Sequence, residues 1–447
     1  MILFYVLALA SFVLALAPDE MQHVRSTAEC DPVLEPACFT NLMPQLDTEG
    51  VWRKIGTSME HTQNFNRCLE GEQLACTIVG GELMSGRNLP RDLDLSMGLL
   101  GPACDAGVGS ACLGVGAYLS EQPTGSVDPL LVAELYSRAC SWGLDEACTL
   151  HAAFYVDGKL VPPDYKKAEE ILSGDCARGS PSSCYGLATQ YYHGDMLPKD
   201  IPLAVELLER ACSLNSPDGC WLLGISEDLG RIGVPNPERA RTLFDKACDL
   251  ALGKGCLLAG SIRIQVPEPQ ISDYDVALER LTRGCSLGNA ESCAKAGYLH
   301  GQGFGSNASS VTAFEFERLG CDLEDPEACA NLGLRYEFGR GVEMNGPQAD
   351  QAYRRACKLG NSGGCNGLGN IYAKGMAGPK DDRRAVELFE QSCDMGDAIG
   401  CANVALFGER LRGGYRSKAA ILAYYKRSCD GGFDEACAKV SEMESAP

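Results

Sequence analysis

Histidine is scarce in this chain. There are five, His23, His61, His151, His193 and His300, and no common interval relates them. That argues against a metal or acid–base centre repeated along the chain. No P-loop, GxGxxG or HExxH string occurs, which removes the usual phosphate cradles and the zinc-protease helix. Basic charge is short as well: 39 Lys and Arg face 60 Asp and Glu, a formal charge of −21. No basic run offsets the excess, so nucleic acid and anionic lipid are poor partners. Beyond residue 17 no long apolar run follows, and the sequence offers no second membrane span. CxxC pairs are missing too, which argues against a labile redox motif and against zinc knuckles. The expected cofactors and metals are none.

Cysteine, by contrast, is abundant and strictly phased. Its 24 copies form twelve pairs with a separation of eight. They are Cys30 with Cys38, Cys68 with Cys76, Cys104 with Cys112, Cys140 with Cys148, Cys176 with Cys184, and Cys212 with Cys220. The series continues as Cys248 with Cys256, Cys285 with Cys293, Cys321 with Cys329, Cys357 with Cys365, Cys393 with Cys401, and Cys429 with Cys437. Successive pairs step by 36, except for a step of 38 into Cys68 and of 37 into Cys285. A fixed period in this range marks a solenoid or array, one object in which each unit touches mainly its neighbours. So many paired cysteines also point to an oxidising compartment.

The N-terminus agrees. Residues 2–17 are almost wholly apolar and end in Ala15-Leu16-Ala17, the small-x-small form of a signal-peptidase site. Residues 1–17 are expected to be a cleaved export signal. An uncleaved anchor is the alternative, because no Lys or Arg precedes the run and Pro18 follows it. Residues 18–37 form a short acidic lead, 38–437 eleven units of about 36 residues, and 438–447 the remnant of a capping helix with a tail.

Each unit reads as two helices. From Cys329, the residues Leu332, Gly333 and Tyr336 fall on one face of a 3.6-residue helix. Gly339-Arg340-Gly341 ends that helix, and a second carries Ala349, Ala352, Tyr353 and Ala356 to Cys357. The position four after the second cysteine is Gly or Ala in ten of eleven units, with Leu42 the exception. Gly inside a helix costs about 0.5–1 kcal/mol against Ala, so its recurrence predicts a close helix–helix approach there. Ala recurs eight before the first cysteine, as at Ala240, Ala277 and Ala385, and is expected to face it. The units at Cys112 and Cys256 carry Gln122 and Val266 where a terminal glycine belongs, so their loops are expected to be remodelled. The fold class is therefore all-α, a solenoid of αα-hairpins.

The cysteine spacing constrains the turns. On a continuous helix, eight residues span about 12 Å, whereas a disulfide needs Cα atoms within about 7 Å. The chain must turn back between the two cysteines. Gly stands three after the first cysteine in eight pairs, and Asn215 in another; both tolerate left-handed backbone. The preferred connectivity joins each cysteine to the one eight residues on. A rival scheme joins the ends of one unit, such as Cys112 to Cys140, but strands Cys30 and Cys437. In the loop-entropy model each nine-residue ring contributes about 2.6 kcal/mol.

The string Ala328-Cys329-x-x-Leu332-Gly333-x-x-Tyr336-x-x-Gly339-Arg340-Gly341-Val342 resembles the Sel1-like repeat. The cysteine pair bridging successive units looks like the secreted cysteine-rich Sel1 proteins of Helicobacter. The resemblance covers about residues 38–440. It implies αα-hairpins stacked in a right-handed superhelix related to tetratricopeptide repeats. It further implies a noncatalytic, monomeric scaffold that binds protein or peptide ligands on its concave face. Within the resemblance lie two further implications: a weak β-lactamase or penicillin-binding activity, and an assembly factor of the mitochondrial intermembrane space. The export signal favours a secreted or periplasmic location.

Few strings carry candidate chemistry. Ser292-Cys293-Ala294-Lys295 fits the SxxK of penicillin-recognising enzymes, but no KTG partner occurs. Gly360-Asn361-Ser362-Gly363-Gly364 fits GxSxG, which requires a strand–turn–helix elbow, and here falls in a turn between cysteines. His193 and His300 close first helices, where a capping role is expected. Tyr155, Tyr191, Tyr336 and Tyr372 share one position in the unit and are expected to pack between units. Asn307-Ala308-Ser309 is a glycosylation sequon. No catalytic, cofactor or metal residue is assigned from the sequence.

Overall fold

The structure is a computed structural model that describes residues 59–86, 89–122, 127–159, 161–410 and 417–445. The export signal, the acidic lead, the pair Cys30 and Cys38, and Leu42 lie outside the described residues. Within them are 22 α-helices and no strand. The chain groups into two units, one ending at Leu214 and the other beginning at Asn215.

The first unit holds α1 (Met59–Leu69), α2 (Gln73–Ser85), α3 (Leu93–Asp105), α4 (Gly109–Ser120), α5 (Pro129–Ser141), α6 (Asp145–Asp157), α7 (Tyr165–Arg178), α8 (Pro181–His193) and α9 (Ile201–Ser213). The second holds α10 (Pro217–Asp228), α11 (Pro237–Asp249), α12 (Gly253–Ser261), α13 (Ile271–Ser286), α14 (Ala290–Gln302), α15 (Ser310–Asp322) and α16 (Pro326–Phe338). It continues with α17 (Gly346–Lys358), α18 (Ser362–Lys374), α19 (Asp382–Asp394), α20 (Ala398–Arg410), α21 (Lys418–Asp430) and α22 (Asp434–Ser445). Even-numbered helices carry the second cysteine of a pair in their first turn and are the first helices of the hairpins. Odd-numbered ones end at the first cysteine.

Local chemistry sets the boundaries. The side chains of Asp92, Asp164, Asp200, Asp325 and Asn361 each accept a hydrogen bond from the backbone N–H three residues on. Such caps contribute about 1 kcal/mol each. Proline occupies the first turn of α5, α8, α9, α10, α11, α16 and α17, where its missing N–H is not needed. The first helix α16 ends at Gly339 in left-handed conformation, as its sequence predicts. The two units without that glycine do differ. The helix α4 stops at Ser120 and α12 at Ser261, both without a left-handed cap, and α12 has nine residues where α14 has 13.

Between a second helix and the next first helix the chain reverses in one tight turn. At Cys104, the Gly107 N–H donates to the Cys104 carbonyl and the Val108 N–H to the Ala103 carbonyl, both at 3.0 Å. The reversal brings the two cysteines of each turn together. Their Cα atoms stand 4.6 Å apart in the bridges Cys68 to Cys76, Cys104 to Cys112, Cys140 to Cys148, Cys176 to Cys184 and Cys357 to Cys365. The separation is 4.5 Å for Cys321 to Cys329 and Cys393 to Cys401, and 4.4 Å for Cys248 to Cys256. It is 4.7 Å for Cys285 to Cys293 and Cys429 to Cys437. All lie inside the reach of a disulfide. No described cysteine is free. The residue three after the first cysteine has positive φ in every described turn. Its glycines run from φ 80° to 102° and Asn215 stands at 65°. Ala251 and Glu324 occupy the same place at 64° without being glycine.

The small residue four after the second cysteine seats a large one from the following helix. A Cβ on Gly224, Gly333 or Gly369 would lie 2.5–2.6 Å from the ring of Phe244, Tyr353 or Phe389. That filler stands four before the next first cysteine and differs from the alanine expected to face the glycine. The alanine contributes backbone: the carbonyls of Ala277 and Ala313 lie 3.0 and 3.2 Å from Cβ positions built at Gly260 and Gly297. Tyr353 and Phe389 are among the largest fully buried side chains, each worth about 1.5–3 kcal/mol of burial.

Arginine ties neighbouring second helices together. Arg138, Arg210, Arg283, Arg355 and Arg427, each two before a first cysteine, donate to carbonyls ending the previous second helix at 2.7–3.2 Å. A guanidinium there offsets the negative end of the helix dipole.

Candidate binding face on the first helices

In the second unit the first helices α10 to α20 pack successively on one another, whereas second helices meet mainly first helices. The first helices are thus the close row. Side chains two, five and nine after the second cysteine lie on their shared face. Lys295 Nζ donates to Ser261 Oγ at 3.2 Å, and Asn403 Nδ2 to Asn366 Oδ1 at 2.8 Å. Both bonds cross from one first helix to the next.

That face changes in character along the chain. In the first unit these positions are Ile78, Gly81 and Ser85 on α2, Gly114 and Ala117 on α4 with Glu121 just past its end, Leu150, Ala153 and Asp157 on α6, and Gly186, Thr189 and His193 on α8. Small residues dominate, with carboxylates at two helix ends. In the second unit α14 presents Lys295, Tyr298 and Gln302, and α16 presents Asn331, Leu334 and Phe338. The helix α18 follows with Gly367, Asn370 and Lys374, and α20 with Asn403, Leu406 and Arg410. Tyr298, Leu334 and Phe338 remain 48, 40 and 49% exposed. Two cations flank Phe338: Arg340 at 5.4 Å and Lys374 at 5.5 Å from its ring centroid.

Beneath this face lies a buried polar layer that sequence reasoning missed. Glu317 stands where neighbouring units carry Tyr, Phe or Leu. It accepts from Arg335 Nε at 2.7 Å and from the second guanidinium branch at 2.9 Å, both residues being buried. Burial pushes the Glu317 carboxyl upward and Arg335 pulls it back. Next to it, buried Glu337 accepts from Tyr353 Oη at 2.8 Å and from Lys374 Nζ at 2.7 Å. The missed signal was in the phase: a carboxylate at the filler position demands a buried partner.

The other candidate residues scatter. Ser292 Oγ is buried and donates to Asn289 Oδ1 at 2.7 Å, while Lys295 turns to Glu291 and Ser261. The SxxK string thus shares one helix without its serine and lysine meeting. Ser362 opens helix α18, so GxSxG lies on no strand–turn–helix elbow. His151 is buried beside Tyr155, and burial holds its imidazole down at about 4. His300 stacks on Phe316 at 5.6 Å and is likewise lowered by burial. Asn307 is exposed in the turn before α15. Tyr155 touches two consecutive apolar clusters, and so do Tyr336 and Tyr372.

Two further groupings were not foreseen. Cys140, Cys148 and Asp175 bring ligating atoms within 4.8 Å of one another. The sulfurs are bonded to each other, and Asp175 accepts from Arg178 and Ser183 at 2.7 Å each. A cleft of about 310 Å³ is lined by Asp350, Arg354, Tyr372 and Pro379 among others. Its guanidinium is already taken, donating to Asp350 and Tyr372.

No described helix is long and apolar enough to cross a membrane. A comparison with curated proteins finds no match. Among solved structures, a protective antigen of uropathogenic Escherichia coli with an SLR fold is similar. Its TM-score is 0.55 at 20% identity, over 87% of this chain and 82% of that one. A Sel1 repeat protein from Oxalobacter formigenes aligns at 22% identity over 68% of this chain and 88% of that one, with a TM-score of 0.49. The model of the Sel1 repeat matches residues 74–108, 145–173, 181–216, 217–252, 290–325, 326–361 and 362–397. These stretches make up more than half of the sequence and coincide with the hairpins, so the chain belongs to the Sel1 repeat family.

Proposed function

We propose that this chain is an exported scaffold that binds protein or peptide segments along its first helices and performs no reaction of its own. Sel1 repeats generally act in protein–protein interaction, and that coarse role comes with the family. The observation that carries the finer reading is the second unit's face, where Tyr298, Leu334 and Phe338 stand exposed in adjoining hairpins. Exposed aromatic and aliphatic side chains on a preformed face are what partner binding uses. The disulfides support an oxidising compartment, and the apolar residues 2–17 support export into it. A photo-crosslinking residue at position 298 or 334 is expected to capture a partner in the native envelope, and one at exposed Lys166 on α7 is not. Equal capture from all three sites would refute the reading.

Connectivity belongs to the same proposal. Each first cysteine is assigned to the one eight residues on, Cys30–Cys38 included by phase. A non-reducing peptide map should recover nine-residue loops throughout. A Cys112–Cys140 linkage would overturn the assignment.

A further inference from the structure

We infer that the second unit's first-helix face takes an acidic extended peptide, one whose carboxylates alternate with apolar side chains. This rests on the reading of that face as a binding surface and adds the chemistry of its occupant.

Charge carries the inference. The chain bears −21 overall, yet none of the twelve face positions on α14, α16, α18 and α20 is a carboxylate, and three are cations. Arg340, beside Phe338, adds a fourth and has no carboxylate partner among the described residues. Two acids near the face are already engaged. Glu337 is buried under Tyr353 and Lys374, and Glu291 pairs with Lys295 at 3.2 Å. Face positions free of carboxylates on so acidic a chain favour an acidic partner. The first unit's face, with Glu121 and Asp157 at the same positions, has the opposite tendency.

The remaining positions select a peptide over other polyanions. Leu334 and Phe338 lie one helical turn apart and offer apolar anchors to side chains, while Asn331, Asn370 and Asn403 offer both donors and acceptors to a main chain. A membrane or a nucleic acid would meet the charge of the whole chain, which repels both.

The test is selection of displayed twelve-residue peptides on the oxidised full chain. Winners are then measured by fluorescence anisotropy, with a single-stranded oligonucleotide as competitor. The expected winners alternate Asp or Glu with Leu or Phe, and bind several-fold more weakly as salt rises from 50 to 500 mM. Arg340→Glu is exposed and leaves the fold intact; it should weaken binding about ten-fold. Phe338→Ala should weaken it comparably, and Lys166→Glu not at all. Neutral or basic winners that still depend on Phe338 would overturn the acidic assignment and leave peptide binding standing. No winner at all would remove both readings. Competition by the oligonucleotide at equal charge would overturn the peptide assignment.

Discussion

Gly369 and Phe389 provide a double substitution whose sign, and not only its size, is fixed by the packing. A Cβ on Gly369 would stand 2.5 Å from the Phe389 ring, closer than any real contact. Overpacking of this kind costs about 1–3 kcal/mol. Alanine returns about 0.5–1 kcal/mol through helix propensity, so Gly369→Ala should lose about 1–2 kcal/mol. The same register elsewhere pairs Ala152 with Leu172, and both are buried in one cluster. Phe389→Leu alone should cost about 1 kcal/mol of burial. In that background Gly369→Ala should become favourable by about 0.5 kcal/mol, because the ring edge is gone and the propensity gain remains. The coupling energy is then about 2 kcal/mol, inside the range measured for residues in contact. The last hairpin seats Ala405 with Tyr425 in one cluster, which is why a cost and not unfolding is expected. Native-state hydrogen exchange of α18 and α19 amides reads this locally, as suits a stack of repeats. The reasoning is refuted if Gly369→Ala has the same sign in both backgrounds.

Ala251 and Glu324 hold left-handed backbone at φ 64°, which costs about 1–2 kcal/mol. Glycine at either site should therefore raise the melting temperature despite its looser unfolded chain, while Gly360→Ala, at φ 91°, should lower it. Arg335→Met strands the buried Glu317 and should cost about 3–5 kcal/mol in urea titration. Combining it with Glu317→Leu should return stability to near the parent or above. His151 titrates at about 4 in the fold and near 6.5 when unfolded. The unfolded chain thus binds more protons between pH 6.5 and 4. Stability should fall across that window by about 3 kcal/mol, and His151→Phe should flatten the slope in exchange protection of α6.

The fold was legible because its determinants recur. Cysteine phase, the glycine three residues later and the small residue at the close approach each appear once per hairpin, so one repeat corrects the reading of another. The filler at Tyr353 and Phe389 was harder to see. Its identity varies among ring, leucine and glutamate, and the constant alanine eight before the cysteine drew attention instead. The arginine ladder carried a readable signal at a fixed position, two before the first cysteine, but its acceptors are carbonyls, which no sequence displays. The Glu317–Arg335 and Glu337–Lys374 bonds join residues 18 and 37 apart in sequence. Such pairs emerge only once the helix faces are set in register.

The candidate face was the least legible part for a related reason. Its positions carry few of the contacts that recur in every hairpin, so their residue types vary and present no period. That freedom locates function by subtraction. The staple turn, the filler pocket and the arginine ladder hold each hairpin to its neighbour and leave positions two, five and nine of the first helices to be chosen on other grounds. The helices α4, α6 and α8 fill them mostly with small residues and acid, and α14 to α20 with apolar side chains, amides and cations. The staples also bear on what those positions can do. A ring of nine residues holds the end of each second helix to the start of the next first helix at 4.4–4.7 Å, as between Cys357 and Cys365 or Cys393 and Cys401. Neighbouring first-helix residues such as Asn366 and Asn403, one and two after their stapled cysteines, therefore begin close together, and little ordering remains to be paid when a segment is laid across them. Disulfides that face no ligand would then act on affinity by way of the unbound state, so reduction should weaken binding even where the helices persist.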